Sequence, residues 1–260
     1  MKRKNGLVTF ITVLVYIFLI GPLLVIMAAS FSDTTYLTFP GQGFTLKWFA
    51  QVMKLNNFGK AAVTSILIAL GGTGIALLLG VPAAYAINKY PFKGKETVQG
   101  IFLSPVLIPI IVLGFITLRY VVLAFHIPNV PGLLIGHTLL SIPYIMRVVT
   151  ASLSNFDFSM EEAARSLGAP EGYSFFHIVL PNIRSGIAAA CMMAIINSFN
   201  DVSLSAFLTS ATVTVLPIEM MNYVEYHFDP TIAALSTILM LITMAVMLLI
   251  EKTLGLKSVV

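Results

Sequence analysis

Residues 160–182 read MEEAARSLGAPEGYSFFHIVLPN, a polar-rich interlude between apolar runs long enough to cross a bilayer. Ser159 stands three residues before Glu162, the spacing of a capping box, and predicts the start of a helix. Gly168 suits the left-handed conformation that ends such a helix, and Pro170 suits the first position of the next. Pro181 then stops the second helix just before a new apolar run. The stretch therefore predicts a compact helical elbow at a membrane surface.

The rest of the chain supports that placement. Of its 260 residues 58% are hydrophobic and only 10% charged, against about 25% charged in a soluble globular domain. Six apolar runs approach or exceed the roughly 20 residues needed to span a bilayer: Leu7–Ala29, Ala61–Ile87, Ile101–Leu123, Leu133–Leu153, Ile187–Leu208 and Ile232–Ile250. Hydrocarbon cannot satisfy free backbone groups, so each run is expected to be a helix. The fold class is all-α integral membrane protein with six transmembrane helices, read as a single membrane domain over residues 1–260. Cys191 is the single cysteine, which excludes an internal disulfide or a cysteine metal cluster.

A net charge of +4 follows membrane topology and does not point to nucleic acid. With the N-terminus in the cytoplasm, Lys2, Arg3, Lys4, Lys89, Lys93, Lys95, Arg165, Arg184, Lys252 and Lys257 all fall on the cytoplasmic side. Lys47, Lys54, Lys60 and Arg119 fall outside or at the outer rim. That bias predicts both termini in the cytoplasm, together with the loop 154–184. The first run imitates a signal peptide through its leading basic residues and Ala28-Ala29-Ser30. Its apolar stretch is longer than the 7–15 residues typical of such a region, and an uncleaved span is expected.

Glu162, Ala163, Ala164, Gly168, Ile178, Leu180 and Pro181 match EAA-x3-G-x9-I-x-L-P at every fixed position. This resembles the cytoplasmic loop of permease subunits in binding-protein-dependent ABC importers, and the six spans and the position of the loop extend the resemblance over nearly the whole chain. The stretch Phe199–Leu208, FNDVSLSAFL, followed by TVLPIEMMNYVEYHFDPTIAA, is most similar to the second permease subunit of spermidine/putrescine-type systems. Related permeases for iron(III), phosphonates or thiamine share much of the layout. The resemblance implies a type I importer permease fold in the bacterial inner membrane, with no cofactor in this chain. The implied partners are a dimer of separate ATP-Mg-binding subunits, a second permease subunit, and a periplasmic or lipid-anchored substrate-binding protein. It also implies roles within the loop. Glu162 would pair with a basic residue of the ATPase, Phe175 and Phe176 would fill its recesses, and Gly168 would set the elbow angle.

In the fifth run, Asn197, Asp201 and Ser205 recur at i, i+4 and i+8, with Asn200 and Ser203 alongside. On one continuous helix they would share a face, and a carboxylate in the membrane needs water, a partner or a ligand. That face is expected to line the translocation path. His137, Arg119 and Arg147 are lone polar residues expected to have packing or interfacial roles. Small residues recur every fourth position at Gly72, Ala76, Gly80 and Ala84, and again at Gly186, Ala190, Ala194 and Ser198. Such stripes let helices approach closely, either within this chain or against a second subunit. Pro105, Pro109 and Pro143 predict kinks. Outside the membrane, Phe31–Lys60 predicts an irregular loop and then a short helix near Lys47–Lys54. Glu219, Tyr223 and Tyr226 would share one face of another surface helix. No P-loop sequence is present, so any ATP hydrolysis is expected to reside in a partner. The rival reading is an ion-driven secondary transporter using Asp201; it predicts an internal repeat, and none is visible.

Overall fold

The computed structural model describes residues 6–36 and 38–254, without side chains for 249–254. Lys2, Arg3, Lys4, Lys257 and the side chain of Lys252, on which part of the orientation argument rests, lie outside the described residues. Every regular element among the described residues is helical. Two compact units are formed, one from residues up to Gly59 together with those from Glu219 onward, the other from Lys60–Ile218.

In the first unit, α1 (Gly6–Ser30) is apolar around its whole circumference and packs on α13 (Thr231–Leu254). A short helix, α2 (Lys47–Lys54), has the bounds expected from sequence and buries Trp48 and Val52 from one face. The loop before it is tied by local bonds. Trp48 Nε1 donates to the Ser32 carbonyl at 2.8 Å, the Gln42 amide donates to Ser32 Oγ at 3.1 Å, and Lys47 pairs with Asp33 at 2.6 Å. Tyr223 is on α12 (Leu216–Tyr226). Its hydroxyl donates to Asp229 Oδ2 at 3.0 Å and its ring packs on Phe58, whereas Tyr226 is exposed. The expected Glu219, Tyr223 and Tyr226 face thus includes one residue engaged inside the unit.

The second unit is organised around α6 (Asn129–Ser154), the most buried of the helices long enough to cross a membrane. It runs unbroken through Pro143. Both small-residue stripes close on it. On α3 (Asn56–Lys89), a Cβ added at Gly72 would lie 3.1 Å from His137 Cβ, and one at Gly80 2.9 Å from Ile145 Cγ2. On α10 (Arg184–Phe199), Ala190 and Ala194 are fully buried, and a Cβ at Gly186 would stand 1.7 Å from Ser152 Oγ. The stripes are therefore seams within this chain. Dispersion contacts at such short separation are lost if either surface is pushed back. Gly186→Ala is expected to lower stability by about 1–3 kcal/mol through overpacking. Thermal unfolding of the purified chain in detergent checks this, and an unchanged midpoint would mean the seam is looser than described.

Four helices (α1, α3, α6 and α13) are each long and apolar enough to span a membrane, and six spans result only if two bent pairs each count as one. The expected third span, Ile101–Leu123, is not one helix. It divides into α4 (Lys95–Leu103) with a 3-10 turn at Ser104–Leu107, then α5 (Ile110–Ile116) with a π-helical turn at Thr117–Ala124. The two parts meet at 99°. Ile108 and Pro109 have ψ of 129° and 130°; for Ile108 this follows from the steric demand of the proline ring on the residue before it. The expected fifth span, Ile187–Leu208, also stops early: α10 ends at Phe199 and a separate turn, α11, covers Ser205–Leu208. Asn197 and Asp201 consequently do not share a continuous helical face with Ser205.

Candidate functional site

The elbow is built from α7 (Ser159–Ser166), α8 (Glu171–Ser174), a π-helical turn at Phe175–Val179 and α9 (Leu180–Asn182). The predicted capping box is not made. The Ser159 amide instead donates to Asp157 Oδ1 at 3.0 Å, and the N-cap position is held by Phe158, whose side chain makes no capping bond. The far end of α7 follows the prediction closely. Gly168 has φ +92°, its amide donates to Arg165 O at 2.9 Å, and the Ala169 amide donates to Ala164 O at 3.1 Å. These two bonds are the reciprocal pair of a Schellman turn, which needs a residue without a Cβ penalty in the left-handed region.

Pro181 shapes the second arm. It has no N–H to offer the carbonyl one turn back, and the Leu180 amide reaches Phe175 O, a π-type bond. Asn182 Nδ2 donates to Ile178 O at 2.7 Å. At Ile183 the chain then bends by 73° into α10.

The side chains sort into an inner and an outer set. Glu162, Ala163 and Gly168 are exposed, Leu167 is 90% exposed and Phe176 is 64% exposed. Ala164, Leu167, Gly168, Ala169, Pro170 and Tyr173 line a shallow open concavity on the outer surface. Phe175 does not face outward with Phe176. Its ring packs on Tyr85 with centroids 4.7 Å apart. Ile178 and Leu180 are partly buried, and Leu180 packs against the core of the second unit together with Phe175.

Sequence reasoning missed the buried carboxylate of the elbow. Glu161, next to the motif glutamate, is 1% exposed. Its Oε1 accepts from the Tyr85 hydroxyl at 2.7 Å and from Lys89 Nζ at 2.6 Å. Lys89 Nζ also donates to the Tyr85 oxygen at 2.6 Å and to Glu171 Oε1 at 3.1 Å. The Tyr90 hydroxyl donates to the same Glu171 oxygen. That bond first, and Lys89 next, hold the Glu171 carboxyl below the ordinary range. No helical periodicity relates Glu161 to residues more than seventy positions away, so only the fold brings them together.

The membrane cluster is rearranged as well. Asp201 is 7% exposed and caps α11: the Leu204 amide donates to Oδ2 at 3.1 Å, the Ser205 amide at 2.9 Å and Ser205 Oγ at 3.0 Å. Short polar side chains that bond nearby amides compete with helix continuation, which accounts for the break after Phe199. His137 lies 2.7 Å from Ser198 Oγ through Nδ1 and 3.1 Å from Ser205 Oγ through Nε2. Because the Ser205 proton goes to Asp201, the neutral Nε2–H tautomer satisfies the whole chain of bonds. Asn200 is exposed, and Asn197 Nδ2 is buried without a hydrogen-bond partner among the described residues. Of the expected path residues, Asp201 and Ser205 are thus joined to each other and to His137, while Asn197 and Asn200 stand outside that network.

Residues 76–255 match the family model for the binding-protein-dependent transport system inner membrane component. The chain is 29% identical over 234 residues to the spermidine/putrescine transport system permease protein PotC of Escherichia coli (strain K12), covering 90% of this chain and 88% of the relative. It is 28% identical over 237 residues to the putrescine transport system permease protein PotI of the same strain, covering 88% and 84%. Among solved structures it resembles a chain of a bacterial ABC transporter involved in the import of the acidic polysaccharide alginate. The TM-score is 0.74 at 18% identity, over 97% of this chain and 99% of that one, a likeness of fold.

Proposed function

The chain belongs to the family of binding-protein-dependent transport system inner membrane components, and from that premise we propose that it is the permease of an ATP-driven polyamine importer. It is a multi-pass membrane protein of a transport family, not an enzyme family. In the proposed assembly it pairs with a second permease and receives solute from a separate binding protein. Both termini and the elbow lie in the cytoplasm of a bacterial inner membrane. There an ATPase dimer, holding ATP-Mg, docks on the elbow.

The observation that carries the coupling role is the outer surface of the elbow. A Schellman turn presents exposed Glu162 beside Leu167 and Phe176, and the two large apolar groups lose by facing water. A basic, apolar-lined cleft in a partner would match both. Phe175 is assigned to the internal support of that surface.

The polyamine assignment is supported by the relatives named for spermidine and putrescine. Within this chain the path is proposed to pass Asn197 and Asn200. Asp201 and Ser205 would hold its wall in shape, because the Asp201 carboxylate already accepts three bonds from the chain itself. An acidic outer rim at Glu219 and Glu225 would raise the local concentration of cations.

Affinity purification of the tagged chain from its native host tests the reading. A P-loop ATPase and a second permease are expected to copurify, and the reconstituted complex should accumulate labelled spermidine only with ATP. Uptake driven by a proton or sodium gradient, without any bound ATPase, would overturn it.

A further inference from the structure

The elbow is tied covalently at two hinges, residues 155–158 after α6 and the Ile183 bend before α10. Neither hinge is stiff by itself: one is a four-residue connection and the other a single non-helical residue. A third tie comes from a helix distant in sequence. With about 1.5 Å of rise per residue, the 34 residues of α3 extend about 50 Å. That exceeds the ~30 Å hydrocarbon layer, so the last turn, with Lys89, can stand clear of the membrane.

We infer that Lys89 is a positioning residue that clamps both arms of the elbow to α3, so that force applied to the elbow reaches α3, α6 and α10 together. The reading rests on the coupling role proposed above. All three ammonium protons are committed: one to Glu161 on α7, one to Glu171 on α8 and one to the Tyr85 hydroxyl beneath them. The rings of Tyr85 and Tyr90 flank the ammonium at 5.0 and 5.1 Å, within range of a cation–π attraction. Phe175, packed on Tyr85, joins the second arm to the same point. The Lys89 side chain is only 12% exposed and that of Glu161 1%, so solvent screens this pair weakly.

A single ammonium thus ties to α3 both arms, whose mutual angle the Schellman turn at Gly168 sets. Three attachment points define a plane, whereas two define only an axis. The plane is continued into the membrane because α3 and α10 each rest on α6 through a small-residue seam. Glu161 Oε2 has no hydrogen-bond partner among the described residues. The buried carboxylate therefore depends on Lys89 for its charge balance, and the clamp fails as a unit when Lys89 is lost.

Two variants are compared with the parent: Lys89→Met, and Lys89→Met combined with Glu161→Gln and Glu171→Gln. The triple variant leaves no buried charge unpaired, only the exposed Arg165 losing its contact with Glu171, and remains informative if the single one does not fold. Amide hydrogen exchange of the purified chain is read over residues 159–183. Labelled spermidine uptake and ATP hydrolysis are read in proteoliposomes holding the full complex. The clamp predicts at least tenfold faster exchange in the elbow, hydrolysis within about twofold of the parent, and uptake per ATP reduced about tenfold. Unchanged exchange in the triple variant would overturn the clamp itself. Faster exchange with uptake per ATP unchanged would overturn its coupling role. A parent chain that carries no ATPase would overturn the importer reading instead, leaving the exchange result to judge the clamp.

Discussion

Gly168→Val is expected to reduce ATP-driven uptake tenfold or more while the membrane helices remain folded. No atom lies within 4 Å of a Cβ added at this position, so the cost is in the backbone alone. At φ +92° an L-residue pays about 1–2 kcal/mol, and a β-branched one is a marked outlier. The chain escapes by rotating φ to a negative value. That rotation breaks the Ala169–Ala164 and Gly168–Arg165 bonds and changes the angle between α7 and α8. A free-energy change of about 1.4 kcal/mol is already tenfold in an equilibrium, and a misplaced docking surface adds to it. Gly168→Asn, which tolerates the left-handed region, is expected to keep much of the activity. Uptake and hydrolysis assays on the assembled complex distinguish the two variants. Full activity of Gly168→Val would mean that the angle between the arms does not matter.

Asp201→Ala is expected to act first on stability. It strands the buried amides of Leu204 and Ser205 and removes the acceptor that orients Ser205 toward His137. Each orphaned group costs about 1–3 kcal/mol, so a loss of about 3 kcal/mol or more is expected. Asp201→Asn, which keeps one acceptor oxygen, should lose less. The measurement is thermal unfolding of the purified chain alongside the concentration dependence of uptake. If Asp201 mainly contacted the solute, the alanine variant would melt at the parent temperature and show only a weakened apparent affinity. That outcome would contradict the capping role.

These two residues mark how far the sequence can be read. Gly168 was legible because a left-handed helix terminus is a local matter: a glycine after a helical pattern and a proline two positions on suffice to predict it. The small-residue stripes were legible as seams for the same reason, since a period of four lies within one helix. Which helix fills them was not, because α6 carries no sign in its sequence that it receives both. Asp201 was misplaced on a continuous helix because a long apolar run outweighed the tendency of an aspartate to cap a new turn. The break at Pro109 shows the same override, in which backbone geometry interrupts a run that hydropathy reads as one span. Glu161 was overlooked because its partners Tyr85 and Lys89 sit on a different helix. The neighbouring Glu162 drew attention by matching the motif, yet it is Glu161 that is buried.

The central claim is that the outer surface of residues 160–182 is where a separate ATPase takes hold. A photoreactive phenylalanine analogue placed at Phe176 tests it most directly, in cells making the complete transporter. The account predicts a light-dependent adduct with the ATP-binding subunit, lost when Gly168→Val is introduced. Cross-links to lipid alone, or to no ATP-binding subunit, while ATP-driven uptake continues at the parent rate, would contradict it.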